Sequence, residues 1–330
     1  MKIESIAYLA YNYIYPVIIC QFEEERKHIM NHFVKFEGNP VFGDAETGTV
    51  FDAYVQLIDG RYRMDFSWRE KKACAVTFSD DGIHWENPRM TLKCNPESGW
   101  EDDINRNCVI RADRSLYQMW YTGQARGHSF IGYAESSDGI HFDRKYGEPI
   151  LIPEYPYERE SVMNPCVLYE NGAYRMWYSA GETYEPNVLA YATSADGIHW
   201  HKSRINPIFV QERNNFFEKE RIGGCQIIKT EDMGYVMFYI GYEDIHTARI
   251  CVARSADGVT KFERSVLNPI VEPTSGEWDC AACYKPTAVW NGKERKWMLW
   301  YNGRNGCREY IGLAEFGERD LFPRRVEGGA

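Results

Sequence analysis

Three acidic residues stand where they could cleave a glycosidic bond. Asp52, in the strand-like run VFDAYV, has no neighbouring acid, and Glu160 and Glu220 share one register in two later segments. Glycosidic cleavage needs one carboxylic acid that protonates the leaving oxygen and one carboxylate that activates water or attacks carbon. We therefore predict Asp52 as the base or nucleophile and Glu160 as the acid, with Glu220 as the competing acid.

Polar side chains that could bind a sugar accompany these acids. The predicted substrate-binding residues are Asp65, Asp103, Arg106, Asn107, Arg126, His128, Asn164, Arg221, His246, Tyr284 and Lys285. Arg106 and Lys285 could instead hold a phosphate or a sugar carboxylate, which leaves phosphorolysis and anionic sugars open. A structural alternative, an acidic rim satisfied by arginines and water, explains the same residues without any activity.

A sequence repeat must position these residues. The turn SxDG recurs four times, and its glycines Gly82, Gly139, Gly197 and Gly258 lie 57, 58 and 61 residues apart. A strand methionine recurs five times, at Met64, Met119, Met176, Met237 and Met298. An Asn-Pro or Glu-Pro pair also occurs five times, beginning at Asn39, Asn95, Glu148, Asn206 and Asn268. Repeats of this length predict an array or ring of five similar units.

Each unit has the pattern of a four-stranded antiparallel sheet. Short alternating strands between Gly, Asp and Asn turns are hairpin signals, and four strands per unit are typical of a propeller blade. HFVKFEGNPVF at residues 32–42 resembles the fourth strands of later units, and the last unit lacks such a strand. The sequence predicts an all-β, five-bladed β-propeller of four-stranded blades. An N-terminal strand would close the ring, because that pairing removes an exposed sheet edge.

An acid also opens every unit. These five residues are Glu46, Glu101, Glu158, Glu218 and Asp279. We predict that they are structural, because a catalytic residue need not occur in every blade. Six positions beyond them stand Asp52, Asn107, Asn164, Gly224 and Lys285, which differ between units as a binding site requires.

The composition favours carbohydrate as the partner. The 330 residues carry a formal charge of −10, and 15% of them are aromatic. An acidic chain disfavours nucleic acid and anionic membranes, which need clustered Lys and Arg. The ten cysteines have no disulfide-framework spacing, and the one CxxC, Cys280 to Cys283, lacks the second ligand pair of a zinc site. We predict no cofactor and no metal site, although a structural cation in a central channel is compatible with this fold.

The first 32 residues lie outside the repeats. We predict an N-terminal extension over residues 1–32, in which residues 22–33 have helical spacing, and a single propeller domain over residues 33–330. The N-terminus lacks the basic start and cleavage site of a signal peptide, and Glu4 and Pro16 interrupt its apolar run. A cytoplasmic protein without a membrane span is the resulting prediction.

The SxDGIHW turns, YRMWYS strands and Asn-Pro segments together resemble the five-bladed β-propeller glycoside hydrolases, which include families 32, 43, 68, 117 and 130. The resemblance covers residues 33–316. In families 32 and 43 an Asp on the first blade is the base or nucleophile, and Asp52 matches it. The second acid of those families is Asn107 here, and the third falls near Met163. The resemblance thus implies that the general acid comes from elsewhere, such as Glu160 or Glu220.

VFDAYV and the DGIHW turns also resemble family 130, which acts on β-mannosides by phosphorolysis or hydrolysis. The Glu-Asp-Pro-Arg run of that family has only a partial counterpart, Glu101-Asp102-Asp103. Our first hypothesis is therefore a glycosidase-like enzyme that cleaves or transfers a glycosyl unit in the central funnel. The alternatives are a glycoside phosphorylase and a catalytically inactive carbohydrate-binding propeller. A protein-interaction propeller has less support, because the variable positions are polar.

Overall fold

The computed structural model describes residues 33–183 and 186–323, and in these residues the chain is almost entirely β. The twenty strands of this described part pair antiparallel in five consecutive sets of four. Sets 2 and 3 are also joined into one eight-stranded sheet by a short parallel pairing of Ser129 with Ser161. Set 1 contains β2 (Val50–Ile58), β3 (Arg61–Trp68), β4 (Ala73–Ser79) and β5 (Arg89–Lys93). Set 2 contains β6 (Asp103–Asp113), β7 (Leu116–Ala125), β8 (His128–Ser136) and β9 (Asp143–Arg144). The all-β prediction is confirmed.

The later sets repeat this order. Set 3 contains β10 (Ser161–Glu170), β11 (Ala173–Gly181), β12 (Pro186–Ser194) and β13 (His201–Lys202). Set 4 contains β14 (Arg221–Thr230), β15 (Gly234–Tyr242), β16 (Ala248–Ser255) and β17 (Glu263–Arg264). Set 5 contains β18 (Ala282–Asn291), β19 (Lys296–Asn305), β20 (Arg308–Phe316) and β1 (Val34–Lys35). Short 3-10 helices lie at Arg69–Lys71, Pro96–Ser98, Pro156–Glu158 and Phe216–Glu218.

The segment before set 1 supplies the fourth strand of set 5, because β1 pairs antiparallel with β20. Beyond β1, the Asn39 amide donates to the carbonyl oxygen of Leu313 at 2.8 Å and accepts from its N–H at 2.8 Å. Asn206 and Asn268 make the same pair of bonds to the third strands of sets 3 and 4. The Asn-Pro repeat therefore fastens a fourth strand to a third strand.

Each set packs on its neighbour through a buried apolar cluster. Sets 1 and 2, 2 and 3, 3 and 4, and 4 and 5 each share one such cluster. A further cluster joins set 5 to set 1, where Met64 and Phe66 lie with Met298 and Trp300. The five repeated methionines are all buried in these layers. Burial of apolar area is the main favourable term that holds the sets together.

Tryptophans on the second strands link neighbouring sets through the SxDG turns. The indole N–H of Trp120 donates to Gly197, that of Trp177 to Gly258, and that of Trp300 to Gly82, at 2.6–2.8 Å from each carbonyl oxygen. Gly82 has φ +78°, and a Cβ there would lie 2.7 Å from the Trp300 ring. The turn thus needs glycine both for its backbone and for this close approach.

The repeated acids of sets 2 to 5 are buried and paired. Glu101, Glu158, Glu218 and Asp279 each accept a hydrogen bond of 2.7–2.9 Å from a tyrosine of the second strand, Tyr121, Tyr178, Tyr239 and Tyr301. Each also pairs at 2.6–2.9 Å with a base at the fourth strand, Arg144, Lys202, Arg264 or Lys35. The predicted structural role is confirmed for these four acids. Set 1 differs, because Glu46 is exposed and Phe66 stands in place of the tyrosine.

The predicted N-terminal extension, residues 1–32, and its helical spacing lie outside the described residues. Among the residues described, none forms a helix long and apolar enough to cross a bilayer.

We expect the Lys35→Met variant to lose about 2–4 kcal/mol of unfolding free energy, because it leaves the buried Asp279 carboxylate without its cation. Lys35 lies 2.6 Å from Asp279, whose side chain is 1% exposed.

Lys296→Met is the matched control. Lys296 is as exposed as Lys35, 24%, but its partners Glu294 and Glu315 are 53% and 28% exposed. This control should lose under about 1 kcal/mol. Equal losses in urea unfolding would contradict the role of β1 as an anchored strand.

Candidate active site

The first strand of every set contains a β-bulge at one register. The first bulge residues are Asp52, Arg106, Asn164, Gly224 and Lys285. The four with side chains adopt φ values of 51° to 57°. Such a backbone is uncommon outside glycine, and it concentrates at functional sites. Four of the five bulges therefore have a strained backbone, and the five bulge residues are not all of one type.

Side chains of the preceding set hold three of these bulges. The backbone N–H groups of Asp52, Arg106 and Asn164 donate to Asn302, Ser67 and Thr122 at 3.0, 2.9 and 3.1 Å. All three acceptors lie on second strands. Because these hydrogen bonds attach each bulge to the preceding set, they bring the bulge side chains of neighbouring sets close together.

The structure corrects one position in this group. The spacing predicts Asn107 beside Asp52 and Asn164, but Arg106 occupies the bulge. The run from Glu101 to the bulge is one residue shorter than in the other sets, and a one-residue shift turns a side chain to the other face of a strand. Asn107 is 1% exposed, does not line the cavity described below, and has no hydrogen-bond partner for its amide within the described residues.

Four of the bulge residues line one cavity of about 240 Å³. Its polar and charged lining consists of Asp52, Arg69, Arg106, Asn164, Tyr242, Tyr284, Lys285, Arg304 and Glu309. A larger cavity of about 480 Å³ is lined by Gln56, Gln226, Trp290 and others, and no Asp or Glu is among its described lining residues. Two further cavities, of about 630 and 340 Å³, have Asp or Glu in their linings, but none of those acids is buried. The buried acids Asp52 and Glu309 therefore point to the cavity of about 240 Å³. Its volume lies below the range of about 300–1,000 Å³ common for drug-sized ligands, so it suits a single sugar ring.

Asp52 is held in this cavity from two sides. Its side chain is 2% exposed, and its Oδ2 accepts a hydrogen bond from the Ser67 hydroxyl at 3.3 Å. The Arg106 guanidinium Nε lies 3.9 Å from the same oxygen. Ser67 also accepts the backbone N–H of Arg106, so it fixes both charged residues relative to each other.

Glu309 is the second carboxylate of the cavity, and the sequence reasoning missed it. It lies on β20 and is 6% exposed, and Arg69 Nη2 donates to its Oε2 at 2.8 Å. Burial, together with the charge of Asp52, raises the pKa of Glu309 above its ordinary value against the opposing effect of Arg69. One feature of the sequence could have indicated Glu309. At the equivalent position of the third strand, sets 2 and 4 carry the small residues Ser129 and Ala248.

The cations of the cavity outnumber its acids. Arg69 pairs with Glu309, Arg106 lies near Asp52, and Arg304 donates to the carbonyl oxygen of His246 at 2.9 Å. Lys285 is 6% exposed, and no carboxylate of the described residues lies within ion-pair distance of it. A buried cation without a counter-ion is costly unless a ligand supplies the charge.

The other predicted site residues lie outside the cavity lining. Glu160, Glu220, Arg126, His128 and His246 are exposed. His128 Nδ1 lies 3.1 Å from the backbone oxygen of Glu160, and Arg221 donates to Glu220 at 2.8 Å and to Glu182 at 3.0 Å.

Asp65 and Asp103 also stand apart from the lining. Asp65 is fully buried and accepts two hydrogen bonds of 2.7 Å from Arg63. Asp103 is partly buried, which raises its pKa, although the charges of Lys72 and Arg106 oppose that effect. The cavity thus brings together Asp52, Arg106, Asn164, Tyr284 and Lys285 of the predicted residues.

Within the described ranges no three His, Cys, Asp or Glu side chains are grouped so that they could hold a metal ion. The structural cation in a central channel stays a prediction.

Solved structures with the same fold are glycoside hydrolases. One glycoside hydrolase aligns with a TM-score of 0.72 at 16% identity, over 92% of this chain and 98% of that chain. A thermostable family-43 glycoside hydrolase gives 0.67 at 16% identity, over 88% and 99%. A structure from the GH130 family of mannoside phosphorylases, which contains glycoside hydrolases that target beta-1,2 mannosidic linkages in Candida mannan, gives 0.68 at 17%, over 88% and 95%. The chain thus has the fold of these proteins.

The chain belongs to the family described as glycosyl hydrolases family 32 N-terminal domain, whose model matches residues 56–205, 93–280 and 166–312. The overlapping matches are expected of a repeated unit. The uncharacterized protein Rv1502 of Mycobacterium tuberculosis is 29% identical over 283 residues, which are 81% of this chain and 88% of that protein. A 1,2-beta-oligomannan phosphorylase of Thermoanaerobacter sp. (strain X514) is 25% identical over 203 residues, 58% of this chain and 62% of that enzyme.

We expect Glu309→Gln to stabilise the fold increasingly as pH rises. A carboxyl whose folded pKa is raised contributes stability below its ordinary pKa, and the contribution is lost as pH rises through the folded value. Glutamine cannot ionise, so the variant should gain on the order of 1 kcal/mol over wild type between about pH 4 and pH 8. Urea unfolding at both pH values measures this gain.

Glu315→Gln, on the same strand but paired with Lys296 at 2.7 Å, should show no such gain. A Glu309→Gln variant that loses stability as pH rises would contradict the raised pKa.

Proposed function

We propose that this protein is a cytoplasmic, glycosidase-like enzyme that cleaves or transfers a glycosyl unit in the Asp52 cavity. In this proposal the five strand sets are the blades of one β-propeller closed by β1, and the cavity lies where their first strands meet. The clusters between consecutive sets, including the one between sets 5 and 1, support this arrangement.

The proposal rests on the placement of the Asp52 carboxylate. It is a buried carboxylate on a strained backbone, and it faces a cavity with a second acid and several cations. A carboxylate held in this way is pre-organised to accept a proton from water or to attack carbon. The sequence assigns the acid role to Glu160 or Glu220, although neither lines the cavity.

A second candidate reaction is phosphorolysis. Lys285 has no carboxylate partner among the described residues, and Arg106 and Arg304 lie in the same cavity. Inorganic phosphate is an anion that such a group of Lys and Arg residues would bind, and it could attack the sugar in place of water. The similarity to a 1,2-beta-oligomannan phosphorylase makes β-1,2-linked mannosides the first substrates to test.

We expect Asp52→Asn to lower kcat/KM by about 100- to 10,000-fold, because the base or nucleophile is lost while the side-chain shape is kept. The assay uses β-1,2-oligomannan and a panel of aryl glycosides, each with and without inorganic phosphate. Free sugar as product indicates hydrolysis, and sugar 1-phosphate indicates phosphorolysis. Asp113→Asn, at the exposed end of β6, is the control and should keep wild-type rates. Unchanged turnover in Asp52→Asn would remove Asp52 from the reaction. Sugar binding without any wild-type turnover would identify an inactive binding module.

We expect inorganic phosphate to raise the melting temperature of the wild type but not of Lys285→Gln, because a ligand stabilises only a fold that binds it. Lys296→Gln, whose lysine lies outside the cavity, should respond as the wild type does. Equal shifts in all three proteins, measured with sodium phosphate against sodium chloride of the same ionic strength, would contradict a phosphate site at Lys285.

A further inference from the structure

We infer that Glu309 is the catalytic residue that protonates the leaving oxygen in the Asp52 cavity. The inference rests on the proposed function and assigns its missing acid. In this role Glu309 replaces Glu160 and Glu220, which the sequence predicts because they share one register.

Glu309 meets the positional requirement for this role. It lines the same cavity as Asp52, and the two carboxylates come from different strand sets, on β20 and β2. The two carboxyl groups therefore line one cavity from neighbouring strand sets. Glycosidic cleavage requires such a pair of carboxyl groups flanking the scissile bond.

The surroundings of Glu309 raise the pKa of its carboxyl, which is the direction that a general acid requires. Its carboxyl is buried beside the negative charge of Asp52, and both effects raise its pKa. Arg69, Arg304 and a hydrogen bond with Tyr284 act in the opposite direction, and burial remains the largest effect. General acids of glycoside hydrolases have raised pKa values for the same reason, because the proton must still be present near neutral pH.

Glu160 and Glu220 lack these features. Both side chains are exposed to solvent, and neither lines the cavity. Glu220 accepts a hydrogen bond from Arg221 at 2.8 Å outside the cavity lining.

The proton and electron balance of the step is complete. When the bond between C1 and the leaving oxygen breaks, its electron pair goes to that oxygen, which takes the proton of Glu309. In hydrolysis the water oxygen forms the new bond to C1, and its proton passes to Asp52. Solvent then takes the proton from Asp52 and returns one to Glu309. In phosphorolysis a phosphate oxygen forms the bond to C1 in place of water.

The first test measures the proton on Glu309 without any substrate. Protein carrying a carbon-13 label at glutamate side-chain carboxyls is titrated by NMR, and the resonance absent from Glu309→Gln is assigned to Glu309. We expect its midpoint above the ordinary value of 4.5. A midpoint at or below that value would overturn the inference, because the residue would hold no proton at neutral pH.

The second test varies the leaving group. A dinitrophenyl glycoside needs little protonation to leave, whereas a phenyl or methyl glycoside of the same sugar needs it. We expect Glu309→Gln to lower kcat/KM by about 100- to 10,000-fold on the poor leaving groups and by less than about tenfold on the dinitrophenyl glycoside. The basic limb of the wild-type pH profile should disappear. Glu315→Gln, on the same strand, should match the wild type on every substrate.

The outcomes separate this inference from the proposed function. If Asp52→Asn is inactive while Glu309→Gln loses no activity or loses it equally on all leaving groups, the inference fails and the enzyme assignment stands. If Glu160→Gln or Glu220→Gln shows the dependence on leaving group instead, that residue is the acid. If the wild type turns over no glycoside with or without phosphate, the proposed function fails, and the role of Glu309 fails with it.

Discussion

The structure depends on a buried carboxylate that each of sets 2 to 5 places just before its first strand. The acid accepts a hydrogen bond from a second-strand tyrosine and pairs with a base at the fourth strand, so one side chain ties together three parts of a set. A buried charge is tolerated only when such partners compensate it. In set 5 the base is Lys35, which comes from the segment that precedes set 1. The network therefore depends on contacts between distant parts of the chain.

This anchoring explains why the bulges can be strained. In sets 2 to 5 the bulge follows a buried, paired acid by a few residues. In sets 1 to 3 an Asn, Ser or Thr of the preceding set accepts the backbone N–H of the bulge residue. A left-handed backbone at Asp52 or Lys285 persists only where the surroundings over-determine it. The same rigidity keeps Asp52, Lys285 and Glu309 around one small cavity, where partly buried charges act on one another more strongly than in bulk water. Stability and proposed function are thus linked through the same first strands.

Much of the fold could be predicted because repeated markers have local physical causes. Gly82 and its counterparts mark turns that only glycine fits, and the Asn-Pro pairs mark where a fourth strand is fastened. The site was less predictable. Counting from Glu101 selects Asn107, but a bulge that begins one residue earlier puts Arg106 at the cavity. Because alternate strand residues face opposite ways, a register error of one residue exchanges a buried amide for a functional guanidinium.

The sequence by itself determined the all-β class and the period of the strand sets. It also indicated the structural role of the repeated acids and singled out Asp52, which lines the cavity. The strand sets and acids recur at a fixed spacing, and Asp52 has no neighbouring acid. Spacing along the chain is therefore enough to find these features. Only the tertiary structure decided that Glu309, Arg69 and Arg304 share a cavity with Asp52, while Glu160 and Glu220 remain exposed. Those neighbours come from different strand sets, and their proximity follows from how the sets pack and where each bulge falls. No pattern along a single set carries that information.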